Sequence, residues 1–244
     1  MELSKKEIML EEKRLEDTTD IIRSKISELG QELYDRDDKV LEFKKFMWDN
    51  RSDMDPTELK TMMSDNDLEI AMMMNKGEYL QKLFKIQNNP YFGSIIFNDE
   101  PIYIGLTAIK EGLDYLVYDW RAPVCSMFYD FGIGNASYES PRGMEKGVIS
   151  RKRQYKIEEG KLKNVFDTNI NIDDEVLQDV LSQTSSDKMK NIVNTIQMEQ
   201  NRVIRNTDDK NLIVQGIAGS GKTSVALHRI AFLLYKINEQ NEYI

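Results

Sequence analysis

Apolar residues in the first fifth of the chain recur at alternating steps of four and three. Ile22, Ile26, Leu29, Leu33, Val40, Phe43 and Met47 keep that rhythm, Arg36 fills it as a polar member, and Ile8 and Leu15 extend it backwards. A repeat of this kind keeps one seam of an α-helix facing a partner, so residues 2–48 predict one long helix. At 1.5 Å per residue it reaches about 65–70 Å. The pattern breaks at "WDNRSDMDPTE". Asp55 is placed to cap a second helix, with Pro56 at its first position and Glu58 three residues after the cap. That helix is predicted from Pro56 to about Asn88. Its expected seam is Leu59, Met63, Ile70, Met73, Leu80 and Phe84, with Asn66 and Gly77 as weak members. Two heptad helices and a short joint predict an antiparallel coiled-coil hairpin; two helices of an ordinary bundle are the plainer alternative.

The period changes over residues 89–168. Short β-branched and aromatic runs are broken at Asn98-Asp99 and Glu111-Gly112, and "VISRKRQYKIEEGKLKNVFD" alternates about Glu159-Gly160. This predicts a small, antiparallel, mostly β module. Residues 173–206 return to a helical pattern, interrupted at Thr184-Ser185-Ser186. "NLIVQ" at 211–215 reads as a short buried strand, and "KTSVALHRIAFLLYKI" as the helix after it.

Composition narrows the function classes. The formal net charge of -9 argues against non-specific affinity of the whole body for nucleic acid, leaving room for a local basic patch. One cysteine, Cys125, and one histidine, His228, cannot build a disulfide framework or a Cys/His metal site. No run of 18 apolar residues predicts a membrane span, and the acidic, periodic N-terminus is unlike a signal peptide. The expected compartment is the cytoplasm.

The most specific chemical signal is "GIAGSGKT": Gly216, Ile217, Ala218, Gly219, Ser220, Gly221, Lys222 and Thr223. It satisfies G-x-x-x-x-G-K-[ST] between a predicted strand and a predicted helix. The glycines let backbone amides wrap phosphate oxygens, Lys222 neutralises the β and γ groups, and Thr223 offers its hydroxyl to Mg²⁺. ATP and Mg²⁺ are therefore the expected ligands. Gln200 lies sixteen residues ahead of Gly216; a glutamine can pair with the N6 and N7 positions of adenine, or simply be solvated. Lys222 and Thr223 bind without completing catalysis. Phosphoryl transfer also needs an acidic metal partner and a residue that orients water. Asp119 precedes the loop and belongs to the β module. The expectation is the front of a larger ATPase, with this polypeptide able at most to bind ATP.

Charge is unevenly spread. Seven carboxylates face two bases between Asp49 and Glu69, with Asp49, Asp53, Asp55 and Glu58 clustered at the predicted joint. Such a tip would suit a positively lined channel or a metal centre, or be an ordinary solvated hairpin end. Eight bases face three acids over residues 141–163; Arg151, Lys152, Arg153 and Lys156 are candidates for phosphate contact, or members of a solvated strand face.

"TIQMEQNRVIRN" followed by "NLIVQGIAGSGKTSVALHRIAFLLY" resembles the opening of superfamily 1 helicases of the UvrD/Rep kind. Gln200 matches the glutamine of their adenine-reading motif, residues 216–223 their phosphate loop, and His228 and Arg229 the helix after it. "YIGLTAIKEGLDYLVYDWRAPVCSMFYD" and the basic hairpin resemble the HelD type. That resemblance implies a bacterial ATPase that binds RNA polymerase, puts an N-terminal arm into its secondary channel and releases it from nucleic acid. The implied organisation is multi-domain α+β: a coiled-coil arm at 1–88, a β module at 89–168 and an incomplete RecA-like lobe at 169–244. A DNA-translocating repair helicase and a non-catalytic polymerase-binding module are the rival readings.

Overall fold

The computed structural model describes residues 4–50, 55–167, 198–209, 211–217 and 219–241. The predicted helical stretch up to residue 197, Asp53 and Ala218 lie outside them, as do the side chains of Glu58 and Leu59. The chain forms two compact units. One comprises Met1–Met9, Tyr91–Ile157 and Leu162–Ile244; the other comprises Leu10–Pro90 and Glu158–Lys161.

Two long helices, α1 (Lys5–Asn50) and α2 (Pro56–Ile86), account for the first part of the chain. The start of α1 is a capping box that the periodicity argument did not register. Ser4 donates to Glu7 Oε2 from its backbone N (3.0 Å) and its hydroxyl (2.7 Å), and the Glu7 amide donates to Ser4 Oγ at 3.3 Å. These bonds hold the Glu7 carboxyl below its ordinary pKa. At α2, Asp55 acts as the cap: its Oδ1 accepts from Thr57 N at 2.8 Å.

From Leu15 onward the α1 seam turns inward as expected, whereas Ile8, its predicted backward extension, is exposed. Ile22 and Val40 are buried, and Ile26, Leu29, Leu33, Arg36, Phe43 and Met47 are half-buried. The α2 seam needs correction at both ends. Met63 and Phe84 point outward, Phe84 being 50% exposed, whereas Met62 turns in and Leu83 is fully buried. Between those ends Asn66, Ile70, Met73, Gly77 and Leu80 turn inward as predicted, with Glu69 and Lys76 beside them. Adjacent apolar pairs, Met62-Met63 and Leu83-Phe84, fit either of two neighbouring registers, and packing chose the earlier. Lys76 donates to Glu32, and Arg36 reaches both Glu32 (3.2 Å) and Glu69 (3.6 Å). Ascending α1 thus meets descending α2, so the pair is antiparallel.

The other unit is built on a seven-stranded sheet: β1 (Gly93–Phe97), β2 (Glu100–Gly105), β3 (Ile109–Glu111), β4 (Asp114–Asp119), β5 (Gly134–Ser140), β6 (Gly143–Glu158) and β7 (Lys161–Asp167). The order is β3-β4-β2-β1-β6-β5, with β7 also on β6. The anticipated turns hold: Asn98, Asp99, Gly112, Glu159 and Gly160 all take positive φ, the geometry of tight hairpins. The sheet is not wholly antiparallel, however. β2 pairs β4 in parallel, Ile104 opposite Tyr118 and Gly105 opposite Asp119. The chain crosses over from β2, makes the short β3 edge, and returns, a connection that local alternation cannot reveal. The sixteen-residue β6 serves β5 with its first half and β1 with its second.

A 3-10 turn (Pro123–Cys125) leads into α3 (Ser126–Asp130). Met127 and Phe128 from it fill the core beside Ile95, Ile104 and Ile149. Gly93 is required there, since a Cβ on it would meet the Phe128 ring at 2.7 Å. Two later helices, α4 (Met198–Arg205) and α5 (Lys222–Asn241), add Ile204, Val225 and Phe232 to the same core. Residues 211–215 do not form the predicted buried strand. Ile213 is 93% exposed, and none of the seven strands pairs with the segment. A strand needs a neighbour to take its N–H and C=O groups, and among the described residues none is supplied. The α5 face carrying Leu227, Ile230, Leu234 and Ile237 is exposed as well. No described helix is long and apolar enough to cross a membrane.

Candidate functional site

The loop from Gly216 to Gly221 runs directly into the first turn of α5. Gly219 and Gly221 take φ of 84° and 78°, a region closed to most side chains, and positive φ at alternating positions lets successive amides converge. A Cβ on Gly216 would meet Ser220 Oγ at 2.5 Å, so the loop closes this tightly because that position is glycine. Gly221 O accepts from Val225 N at 2.9 Å, which joins loop and helix. Lys222 Nζ donates to Gly216 O (2.8 Å) and Ile217 O (2.6 Å), keeping the ammonium at the mouth of the loop. Thr223 is exposed in the first turn of α5, and Ile217 is exposed in the loop. This donor set fits a magnesium-bound triphosphate: Lys222 and the loop amides would hold the phosphates, and Thr223 would face the metal.

Gln200 comes to the same place from α4. Its Nε2 lies 3.5 Å from the position a Cβ on Gly221 would occupy. Sequence distance gave no guarantee of this; the packing of α4 on α5 provides it. Arg229 of α5 donates to the carbonyls of Val203 (2.7 Å) and Asn206, bracketing the end of α4. His228 Nδ1 donates to Ser224 O (2.6 Å), and the ring sits edge-on to Trp120, 5.6 Å between centroids.

Asp119-Trp120-Arg121-Ala122-Pro123 joins this arrangement to the sheet. Asp119 is buried and accepts from Arg121 three times: backbone N at 2.9 Å, Nε at 2.7 Å and Nη2 at 2.5 Å. The Arg121 guanidinium lies over the Tyr235 ring at 4.6 Å. Arg205 of α4 donates to the carbonyls of Trp120, Arg121 and Ala122. Arg205 and Asn201 were not singled out in the sequence, where each reads as an ordinary polar position of a helix.

The basic hairpin needs revision. Lys152 and Arg153 are both only 1% exposed. Lys152 donates to Phe131 O at 3.2 Å and sits over the Phe128 ring; burial lowers its pKa to about 8. Arg153 forks onto Asp167 (2.6 and 3.0 Å) and also reaches Glu7 at 3.3 Å. Both faces of β6 are covered at these positions, so two consecutive residues are buried where alternation would expose one. Arg151 and Lys156 remain partly exposed. At the acidic joint, Asp49 is exposed in the last turn of α1, where a carboxylate opposes the helix dipole, and Asp55 is exposed at the α2 cap. Glu58 lies in the first turn of α2.

Comparison with protein families supplies the deciding observation. The model of the N-terminal domain of DNA helicase IV HelD matches residues 8–186. The chain belongs to this family. The match takes in α1, α2 and all seven strands, and ends before the phosphate loop. No curated protein matches the chain significantly. Membership in the HelD N-terminal family relates the chain to helicase-type ATPases and is consistent with an ATP-linked role in company with RNA polymerase.

Proposed function

We propose that this chain is the N-terminal part of a HelD-type ATP-dependent motor that binds bacterial RNA polymerase and releases it from nucleic acid. The observation that carries the reading is the conjunction of two features in one chain. Residues 8–186 match the HelD N-terminal family, and the compact unit holding the sheet also holds the glycine-rich loop with Lys222 at its mouth. In this reading α1 and α2 are a coiled-coil arm, and Asp49, Asp53, Asp55 and Glu58 are its partner-seeking tip. ATP sits on residues 216–223, with Gln200 at the adenine and Mg²⁺ at Thr223. The exposed Ile213 and the apolar stripe of α5 are surfaces on which further layers of a RecA-like lobe pack. Bound nucleotide supplies the free energy; the residues of this chain orient it. Arg151 and Lys156 are left to carry any phosphate contact of the hairpin. The burial of Lys152 and Arg153 weighs against a DNA-tracking role there.

The test is capture of purified bacterial RNA polymerase by this chain, beside a variant with Asp49, Asp53 and Asp55 changed to asparagine. Asparagine still caps a helix, so α2 is retained. The expected result is capture at moderate salt, weakened at least severalfold in the neutralised variant. Equal capture by both chains would remove the tip from the reading. No capture by a folded chain would sink polymerase binding by this part of the protein.

A further inference from the structure

Buried polar groups of the sheet unit meet beneath α4. Arg205 Nη2 donates to Trp120 O at 2.6 Å, and Nη1 donates to Arg121 O (3.0 Å) and Ala122 O (3.4 Å). Its Nε donates to Asn201 Oδ1 at 3.0 Å, and Asn201 Nδ2 in turn donates to Asp130 Oδ1 at 2.8 Å. The Phe232 ring of α5 lies 5.2 Å from the guanidinium. Asn201 is buried at 1% exposure. Burying such groups costs desolvation that apolar packing would avoid, and in exchange each link admits one orientation: a planar fork on carbonyls, an amide on a carboxylate.

That orientation matters because of what α4 carries. The bonds of Arg205 and Asn201 tie α4 to the 120–122 carbonyls and to Asp130, and so define where it sits. Gln200 immediately precedes Asn201, and its amide nitrogen lies by Gly221 of the phosphate loop. Pairing with adenine requires the carboxamide N–H and C=O to meet N6 and N7 together, and hydrogen bonds weaken steeply when misdirected. The phosphate contacts, by contrast, belong to the loop and α5.

We propose that Arg205 and Asn201 are positioning residues of the nucleotide site: by clamping α4 to the 120–122 carbonyls and to Asp130, they aim Gln200 at the base and set the preference for ATP over GTP. The inference rests on the reading of Gln200 given above. It makes the turn that follows β4, 84 residues upstream of Arg205, a determinant of base selectivity.

The experiment titrates fluorescent ATP and GTP analogues into the unaltered chain, R205K, Q200A and the R205K/Q200A double variant. A two-bond contact to adenine gives an expected preference for ATP of about tenfold. Q200A should lose it. R205K keeps the charge but not the fork, and should lose most of the preference through weaker ATP binding while GTP binding holds. The double variant should match Q200A, since the arginine acts through the glutamine. A second pair guards against simple unfolding: D130N keeps an acceptor for Asn201 and should retain the preference, whereas D130A should lose it. Equal weakening for both nucleotides in R205K, or additive losses in the double variant, would overturn the inference alone. Equal binding of ATP and GTP by the unaltered chain would overturn the base-reading role of Gln200, and this inference with it.

Discussion

Lys152 illustrates how far a side chain's environment can depart from what its letter suggests. Within "SRKRQYK" it is one base of a cluster; in the sheet it is a buried ammonium beside one carbonyl, an aromatic face and the charge of Asp130. Burial lowers its pKa from 10.5 to about 8. Between those values the unfolded chain binds more protons than the folded one, so this lysine's contribution to stability rises with pH from about 8 and levels off above the unfolded value. Below pH 8 the folded protein carries the full cost of the buried charge. K152M is therefore expected to stabilise the protein at pH 7 by about 2–3 kcal/mol, with the gain shrinking toward pH 10. Urea denaturation of both proteins across that range measures the difference. The buried Cys125 thiol, whose pKa burial pushes up, drives stability the opposite way with pH, but it is common to both proteins and cancels. A pH-independent difference would show that folding leaves the titration of Lys152 unshifted.

Among the helices, the informative comparison is between neighbours of equal apolar character. Leu83 is fully buried and Phe84 is half exposed, so the α2 register is decided at this pair. Leu83→Ala should cost about 2–5 kcal/mol, the usual range for a buried leucine. Phe84→Ala should stay within about 0.5 kcal/mol, as surface changes do. Thermal melts of the two variants suffice; similar losses would restore the later register. Helix identity, the Asp55 cap of α2 and the three tight turns of the sheet were legible because each depends on residues within a few positions: Asp55 and Pro56, Asn98-Asp99, Glu159-Gly160. The parallel β2–β4 pairing and the failure of residues 211–215 to become a strand were not, because both depend on which distant segment is available as a partner.

The chain as a whole places nucleotide elements and sheet in one compact unit, with the long helices forming another. Ile204, Val225 and Phe232 share the sheet's core, so a ligand at the loop should steady the strands as well as the loop. On the proposed reading, ATP with Mg²⁺ at a hundred times its dissociation constant adds about 2.7 kcal/mol to that unit. Hydrogen exchange should slow in β1 and β6 as well as in α5, and Lys222→Ala should abolish the effect. Protection confined to the loop would show that the sheet and the nucleotide site open separately. The glycine-rich turn ahead of α5 was readable from consecutive letters, because its backbone demands are local: Gly219 and Gly221 supply the positive φ it needs. The two heptad helices were readable for a related reason, since 3.6-residue geometry converts spacing into a face. Folding alone decided the rest. It buried Lys152 and Arg153, which alternation had left on a surface, by covering both sides of β6. It also brought Gln200 beside Gly221 and hung α4 on three carbonyls from the far end of β4, contacts that arise only when segments distant in sequence compete for the same buried space.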